Sequence, residues 1–277
     1  KDEREKVIKH MSRLGMDFYL YGPKEDLYHR IEWYKAYPVK EQKILRDLTN
    51  ICKKNKIRPI FAISPGLKSS NVSISDKKNL ILKIKQAQKL GFKEFAIFFD
   101  DINHERNGTL AESHLEMIEI VSSIDKVEYE DLFICPTVYC TSFAQGDLEN
   151  NTYLRVLASE IDPRVSILWT GDEVVSETIP QKGLKDIRGL FSNPLIIWDN
   201  FYANDYCPSR FYIGPYKGRK SIYKFASAVG INPTGLPITD MICLSRFMSD
   251  LTDRQILDEY KIPKEFSKIL PYFTNPF

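Results

Sequence analysis

Seven short apolar runs return along the chain at intervals of 30 to 42 residues, and this rhythm constrains the fold more than any other feature. They are Asp17–Tyr21 (DFYLY), Pro59–Ser64 (PIFAIS), Phe95–Asp100 (FAIFFD), Leu132–Pro136 (LFICP), Val165–Thr170 (VSILWT), Leu195–Asp199 (LIIWD) and Phe225–Ile231 (FASAVGI). Each is nearly continuous, the pattern of a strand buried on both faces of a parallel sheet. An antiparallel sandwich would alternate apolar with polar residues and is disfavoured.

Segments of helical periodicity lie between the runs. Val7, Ile8, Met11 and Leu14 form one apolar stripe that stops at Gly15; Ile44, Leu45, Leu48 and Ile51 form a second; Leu80, Ile81, Ile84, Ala87 and Leu90 form a third that stops at Gly91. Further helices are expected at about Leu110–Ser123, Tyr153–Glu160, Leu184–Phe191 and Ile238–Leu251. Ser75-Asp76 and Thr239-Asp240 supply N-terminal signals for the third and the last.

The result is a series of βα units that no Gly-, Ser- or Pro-rich linker interrupts, so residues 1–277 read as one domain. Such units build an open doubly wound sheet or a closed barrel, and the nucleotide-binding glycine signature that would favour the former follows none of the strands. The expectation is an α/β fold, a (β/α)8 TIM barrel. With seven strands counted and a helix opening the chain, the barrel's first strand is expected upstream of Lys1; the alternative is an open sheet.

Composition removes several functions. Hydrophobic residues make up 43% of the chain, too many for disorder, and 39 Lys+Arg against 37 Asp+Glu leave a net charge of +2. That balance gives no bulk attraction for nucleic acid or an anionic membrane. No apolar run approaches a membrane span. The five cysteines are odd in number and widely spread, which fits reduced thiols and a cytoplasmic or nuclear setting. Sequons at Asn71, Asn107 and Asn150 are near chance frequency and do not argue for secretion.

In a barrel the reacting groups stand at the C-terminal ends of the strands. Here those ends read YGPK (Tyr21–Lys24), SPG (Ser64–Gly66), FFDD (Phe98–Asp101), CPTVYC (Cys135–Cys140), WTGDE (Trp169–Glu173), WDNFYANDY (Trp198–Tyr206) and Asn232-Pro233. The adjacent carboxylates Asp100 and Asp101 close an apolar run, where lost hydration and mutual repulsion cost stability unless partners or function compensate. A solvated turn is the plain alternative, since Asp favours turns and caps. Successive side chains diverge, so at a barrel mouth the pair suits two separate jobs in one reaction.

WDNFYANDY joins two amides, two carboxylates and four aromatics. Aromatic faces pack on sugar C–H groups, while amides and carboxylates bind hydroxyls; a turn-rich loop plugging the barrel end would have the same composition. CPTVYC lacks the spacing of a metal or redox motif and reads as buried free thiols. His29 and His104 flank strand ends and could contact a ligand, but read first as hydrogen-bonded surface residues. The turn before Lys24 would hold its ammonium at the rim, and GPYKGR (Gly214–Arg219) lacks P-loop spacing and shapes a turn.

Taken in order, YGPKEDLYHR, FAISPG, FFDDI, CPTVYC, LWTG, WDNFYANDY and GPYKGR resemble the O-GlcNAcase family, the β-N-acetylglucosaminidases of glycoside hydrolase family 84. The resemblance runs from about Asp17 to Asn232. It implies a (β/α)8 catalytic barrel with no metal or cofactor. It implies retaining hydrolysis of β-linked N-acetylglucosamine from Ser or Thr of glycoproteins, by substrate assistance: the sugar's acetamido oxygen attacks the anomeric carbon and forms an oxazoline.

Carried onto this chain, the resemblance makes Asp100 the group that orients the acetamide and accepts its N–H proton, and Asp101 the general acid and then base. Lys24, Asn200, Asp205 and Asn232 match positions that contact the acetamide and ring hydroxyls. Tyr139 matches a tyrosine that hydrogen-bonds the acetamide or oxazoline, and Trp198 a tryptophan lining the acetyl pocket.

The implied partners are O-GlcNAc-modified proteins or GlcNAc-containing glycans, with neither nucleic acid nor membrane. Departures are Asn103, where many relatives have Asp, the absence of a Gly-Phe-Tyr-Gly-like segment before Lys1, and no visible C-terminal stalk helices. A hydrolase of free oligosaccharides, a non-catalytic glycan-binding protein, and an aromatic loop that serves protein interaction remain as alternatives.

Overall fold

Strands and helices alternate as α1 (Asp2–Leu14), β1 (Phe18–Tyr21), α2 (Val39–Lys54), β2 (Arg58–Ile63), α3 (Ile74–Lys89), β3 (Glu94–Phe98) and α4 (Gly108–Ser122). They continue as β4 (Leu132–Cys135), α5 (Thr152–Glu160), β5 (Ser166–Trp169), α6 (Gln181–Leu190), β6 (Leu195–Asp199), β7 (Ala228–Ile231) and α7 (Pro237–Thr252). The structure, a computed structural model, describes residues 2–65, 72–102, 105–207, 212–213, 216–220 and 222–252.

Local chemistry accounts for the element ends. Gly15, with φ 76°, closes α1 in the left-handed conformation that other residues adopt at a cost. At α3 the Ser73 hydroxyl accepts from the Asp76 N–H while the Asp76 carboxylate accepts from the Ser73 N–H, a reciprocal capping box. The cap is therefore Ser73 and not Ser75, because only a residue three positions before Asp76 can exchange both bonds. Asn107 and Asn151 cap α4 and α5 in the simpler one-bond form.

The seven strands form one parallel sheet in sequence order. Its two faces bury different sets of residues, as the period of two requires. Phe61, Ile63, Phe95, Ile97, Ile134, Ile167, Trp169 and Ile197 face the helices in the larger core. Ile60, Ala62, Ala96, Phe98, Phe133, Leu168 and Ile196 form a second core, joined by Phe18, Leu20, Cys135, Trp198 and Ala228. All seven strands feed that second cluster, which is possible only because the sheet curls round it.

Contacts across the interior show the same curl. Phe98 on β3 and Trp198 on β6, three places apart in the sheet, meet edge to face with ring centroids 5.5 Å apart. A side chain grown at Gly230 of β7 would begin 3.6 Å from the ring of Phe18 on β1, so the two outermost strands face each other. On the outside, α1 and α7 are tied by His10, whose Nε2 lies 2.8 Å from Ser245 Oγ and 3.0 Å from the Met241 carbonyl.

The expected βα order is present, with two adjustments. The last strand starts at Ala228 and not Phe225, because Ile222–Lys224 winds into a 3-10 turn first. The final helix starts at Pro237, so Asp240 lies inside its first turn and reaches back, accepting from the Thr234 N–H at 2.8 Å and hydroxyl at 2.6 Å. Among the described residues no helix is long and apolar enough to cross a membrane.

Candidate active site

β3 delivers the paired carboxylates. Just past its end the Phe99 N–H donates to the Cys135 carbonyl at 2.8 Å, and the Thr137 hydroxyl donates to the Phe99 carbonyl at 2.7 Å. Behind them the His114 ring stacks on Phe99 with centroids 3.8 Å apart and contacts the Tyr153 hydroxyl at 3.0 Å. That hydroxyl accepts the Thr137 N–H. The backbone that presents Asp100 is thus braced against β4 and the α4–α5 layer.

Asp100 and Asp101 then part company. Asp101 adopts φ 54°, in the left-handed region that Asp tolerates better than most residues. Its side chain is 45% exposed, against 18% for Asp100. Asp100 Oδ1 is buried with no hydrogen-bond partner among the described residues. Loss of hydration holds the Asp100 carboxyl above the usual range; the nearby Arg30 guanidinium opposes that, and the charge of Asp101 adds to it. Arg30 spans the pair, with Nη1 3.4 Å from Asp100 Oδ2 and Nη2 3.2 Å from Asp101 Oδ2.

The other expected residues connect to this pair. The Tyr139 hydroxyl points at Asp101 Oδ1 from 3.5 Å. Lys24 pairs with Asp205 at 2.9 Å; burial lowers its affinity for the proton, but Asp205, with Asp101 and Asp100 behind it, more than offsets that and holds the ammonium above its ordinary value. The Trp198 ring packs on Phe98 directly beneath the pair's strand, and its indole N–H donates to Asn200 Oδ1 at 3.0 Å. The same oxygen accepts from Asn232 at 3.1 Å, while Asn200 Nδ2 donates to the Val174 carbonyl at 2.7 Å. Asn200 is therefore fixed by three bonds and keeps one N–H to offer.

The WDNFYANDY loop splits into structural and available groups. Asp199 is fully buried, accepting from the Phe201 N–H at 3.0 Å, the Tyr216 hydroxyl at 2.6 Å and Arg219 Nε at 2.9 Å. Arg219 also donates to the carbonyls of Ser176, Glu177 and Lys217. The GPYKGR segment thus does more than turn: its Tyr216 and Arg219 lock the base of the loop. Asp205 is exposed and Asn200 half-buried, in contrast to Asp199.

Two expectations need correction or fall outside the description. His29 is no surface residue; it is 1% exposed, contacts the Ala62 carbonyl at 2.9 Å and packs edge-on against Phe98, and burial pushes its pKa down to about 4. Its isolation follows from the turn after β1 folding inward. Asn103, His104 and Gly66 lie outside the described residues, as do Gly214 and Pro215 of GPYKGR. Cys140 is a buried free thiol as expected, and Cys135, half-buried and also free, sits at the inner end of β4.

Sequence reasoning passed over Arg30 and Asp26. Both sit in the YGPKEDLYHR block, where only Lys24 and His29 drew notice. Asp26 organises that turn, its Oδ2 accepting from the hydroxyls of Tyr21 and Tyr37, each at 2.8 Å, and its Oδ1 from the backbone of Tyr28 and His29. The signal was present as two adjacent acids, Glu25 and Asp26, between Tyr21 and Tyr28, but the pairing partners are set by the tertiary fold.

A curled parallel sheet carrying paired carboxylates, an amide hub and aromatics at its strand ends has the layout of a glycoside hydrolase. The chain belongs to the beta-N-acetylglucosaminidase family, whose description matches residues 1–275. It is 32% identical over 226 residues to the Protein O-GlcNAcase of Mus musculus and, equally, to that of Rattus norvegicus; the match takes in 79% of this chain and 25% of each relative.

Among solved structures, a mutant of the Thermobaculum terrenum O-GlcNAc hydrolase superposes with a TM-score of 0.81 at 26% identity, covering 98% of this chain and 59% of that one. The structure of CpGH84B gives 0.78 at 26% identity, covering 89% and 45%. The chain spans about a quarter of the length of the curated relatives it matches.

Proposed function

We propose that the chain removes β-linked N-acetylglucosamine from Ser or Thr of glycoproteins, with retention and substrate assistance. The observation that carries this reading is the Asp100-Asp101 pair held on one braced strand end, with Tyr139, Lys24–Asp205 and Trp198–Asn200–Asn232 around it. In the reaction the acetamido oxygen bonds to the anomeric carbon as the bond to the glycosidic oxygen breaks. Asp101 gives its proton to that departing oxygen, and Asp100 takes up the acetamide N–H proton as the oxazoline forms. Water then adds to the anomeric carbon, its proton going to Asp101, the ring opens, and the nitrogen recovers its proton from Asp100.

The environment of Asp100 suits its part. A carboxylate with poor hydration is a stronger base, and its Oδ1, without a hydrogen-bond partner among the described residues, would accept the acetamide N–H. Asp101, the more exposed of the two, faces the side from which an aglycone and later a water can arrive. Tyr139 would steady the acetamide carbonyl, and Trp198 would wall the acetyl methyl, a contact that discriminates by about 1–3 kcal/mol. Asn200's spare N–H, Asn232 and the Lys24–Asp205 pair would bind ring hydroxyls. We place this work in one catalytic domain of the cytoplasm or nucleus, its barrel closed by an eighth strand along the outer edges of β1 and β7.

The test is hydrolysis of aryl N-acetyl-β-glucosaminides that differ in leaving-group acidity. Asp101→Asn should lose little when the leaving group is acidic and much when it is not, whereas Asp100→Asn should lose heavily with all. Equal losses for both variants across the series would remove the role assignment. Saturable binding of an oxazoline mimic without any hydrolysis would leave a glycan-binding protein in place of an enzyme.

A further inference from the structure

Resting on that reading, we propose that Arg30 is a positioning residue for the reaction, a fixed guanidinium fork that holds the two carboxylates apart and follows their charge as the proton moves. The geometry is specific. Its two terminal nitrogens divide between Asp100 and Asp101, one to each. A planar guanidinium can span two acceptors at once, which a point-charge ammonium cannot do with the same rigidity.

The backbone beneath it is anchored on both sides. The Tyr28 and His29 N–H groups bind Asp26 Oδ1, the His29 carbonyl accepts from the Ser64 N–H at 3.0 Å, and the His29 ring is held by the Ala62 carbonyl. Arg30 therefore projects from a turn that β2 fixes in place, and its side chain is only 14% exposed.

Among the described residues, the charges facing the pair leave Arg30 this task. Lys24 from the same turn is engaged by Asp205 from the loop after β6, and the groups offered by β4 and its loop are the Cys135 thiol and the Tyr139 hydroxyl, both neutral. Burial, with the two aspartates adding to it, raises both of those groups above their ordinary values, so neither supplies countercharge.

In the proposed cycle Asp101 starts with the proton to be donated, and the pair's one negative charge lies on Asp100. As Asp101 releases its proton to the leaving oxygen, the charge grows on Asp101 while Asp100 takes up the acetamide proton. A fork already in contact with both oxygens stabilises each stage without moving, which is how preorganised electrostatics lowers a barrier.

The experiment is a pH titration of the Asp side-chain carboxyl carbons by NMR in the full chain, with signals assigned through Asp100→Asn and Asp101→Asn, alongside the pH profile of kcat/KM. Arg30→Gln should raise the Asp100 carboxyl midpoint by about one pH unit and move the acidic limb of the profile up with it. Its kcat should fall more than its KM rises. Arg30→Lys should restore part of the shift. Should Arg30→Gln fail to fold, Arg30→Lys decides alone: the Asp100 midpoint should still rise, by less, since one ammonium cannot span both carboxylates with the same geometry.

Midpoints identical to the unsubstituted chain, with activity merely scaled down, would overturn the assignment. Displaced midpoints in a chain that hydrolyses nothing would support Arg30's pairing and count against the proposed activity instead.

Discussion

Arg219 Nε lies 2.9 Å from Asp199 Oδ2, and both side chains are withdrawn from solvent. Tyr216 adds its hydroxyl to the same oxygen, and the guanidinium sits over the Phe201 ring 4.2 Å from its centroid. Removing one partner would strand the other charge without water. Asp199→Ala and Arg219→Met should each cost about 3–5 kcal/mol in denaturant unfolding, while the double substitution should recover part of that loss. Additive losses would show that the two residues act separately.

Lys24 and Asp205 make the opposite kind of pair. It is exposed, so its contribution to stability is below about 1 kcal/mol. Lys24→Ala should unfold at nearly the same denaturant concentration as the parent yet show a raised KM toward N-acetylglucosaminides. A fall in stability comparable to that of Asp199→Ala would mean that Lys24 holds the turn and not the sugar.

The buried His29 makes stability pH-dependent. Its pKa in the fold is about 4 against an ordinary 6.5, so the folded form keeps the ring neutral while the unfolded chain takes up a proton as pH falls through that interval. Its contribution is complete above about pH 6.5 and is lost toward pH 4, up to about 3 kcal/mol. Unfolding free energies of the parent and His29→Gln, measured from pH 7 to pH 4, should converge on acidification. A constant difference would contradict the linkage.

Gly22 sits where the turn after β1 crosses the inner core. A Cβ there would lie 2.9 Å from Ala62 Cβ and 3.1 Å from Phe98 Cε2. Gly22→Ala should cost about 1–3 kcal/mol through overpacking. Because Phe98 leads into Asp100, it should also lower kcat, and a companion Ala62→Gly should relieve part of both effects.

The βα rhythm was legible because strands buried on both faces must be apolar throughout, and the aspartate pair drew notice because two adjacent acids close one such run. What stayed hidden depends on which residues the fold brings face to face. His29 is exposed or buried according to how the connection over residues 22–38 folds, and nothing local declares it. Arg30 and Arg219 are single basic residues in charged or turn-like segments, and only the curled sheet brings one to β3 and the other to β6. Asp199 and Asp205 belong to one motif with the same side chain, yet one is fully buried and the other rims the site.

The left-handed backbone at Asp101 decides which replacements are informative. Asparagine enters that conformation readily, whereas alanine would bend the chain against a preference of about 1 kcal/mol or more. An alanine scan would therefore merge two losses, one of a carboxyl group and one of a tolerated backbone angle, and would overstate the first. It also narrows the routes open to mutation at this position: the easiest exits from Asp101 lead to asparagine or glycine, both of which keep the turn and discard the acid.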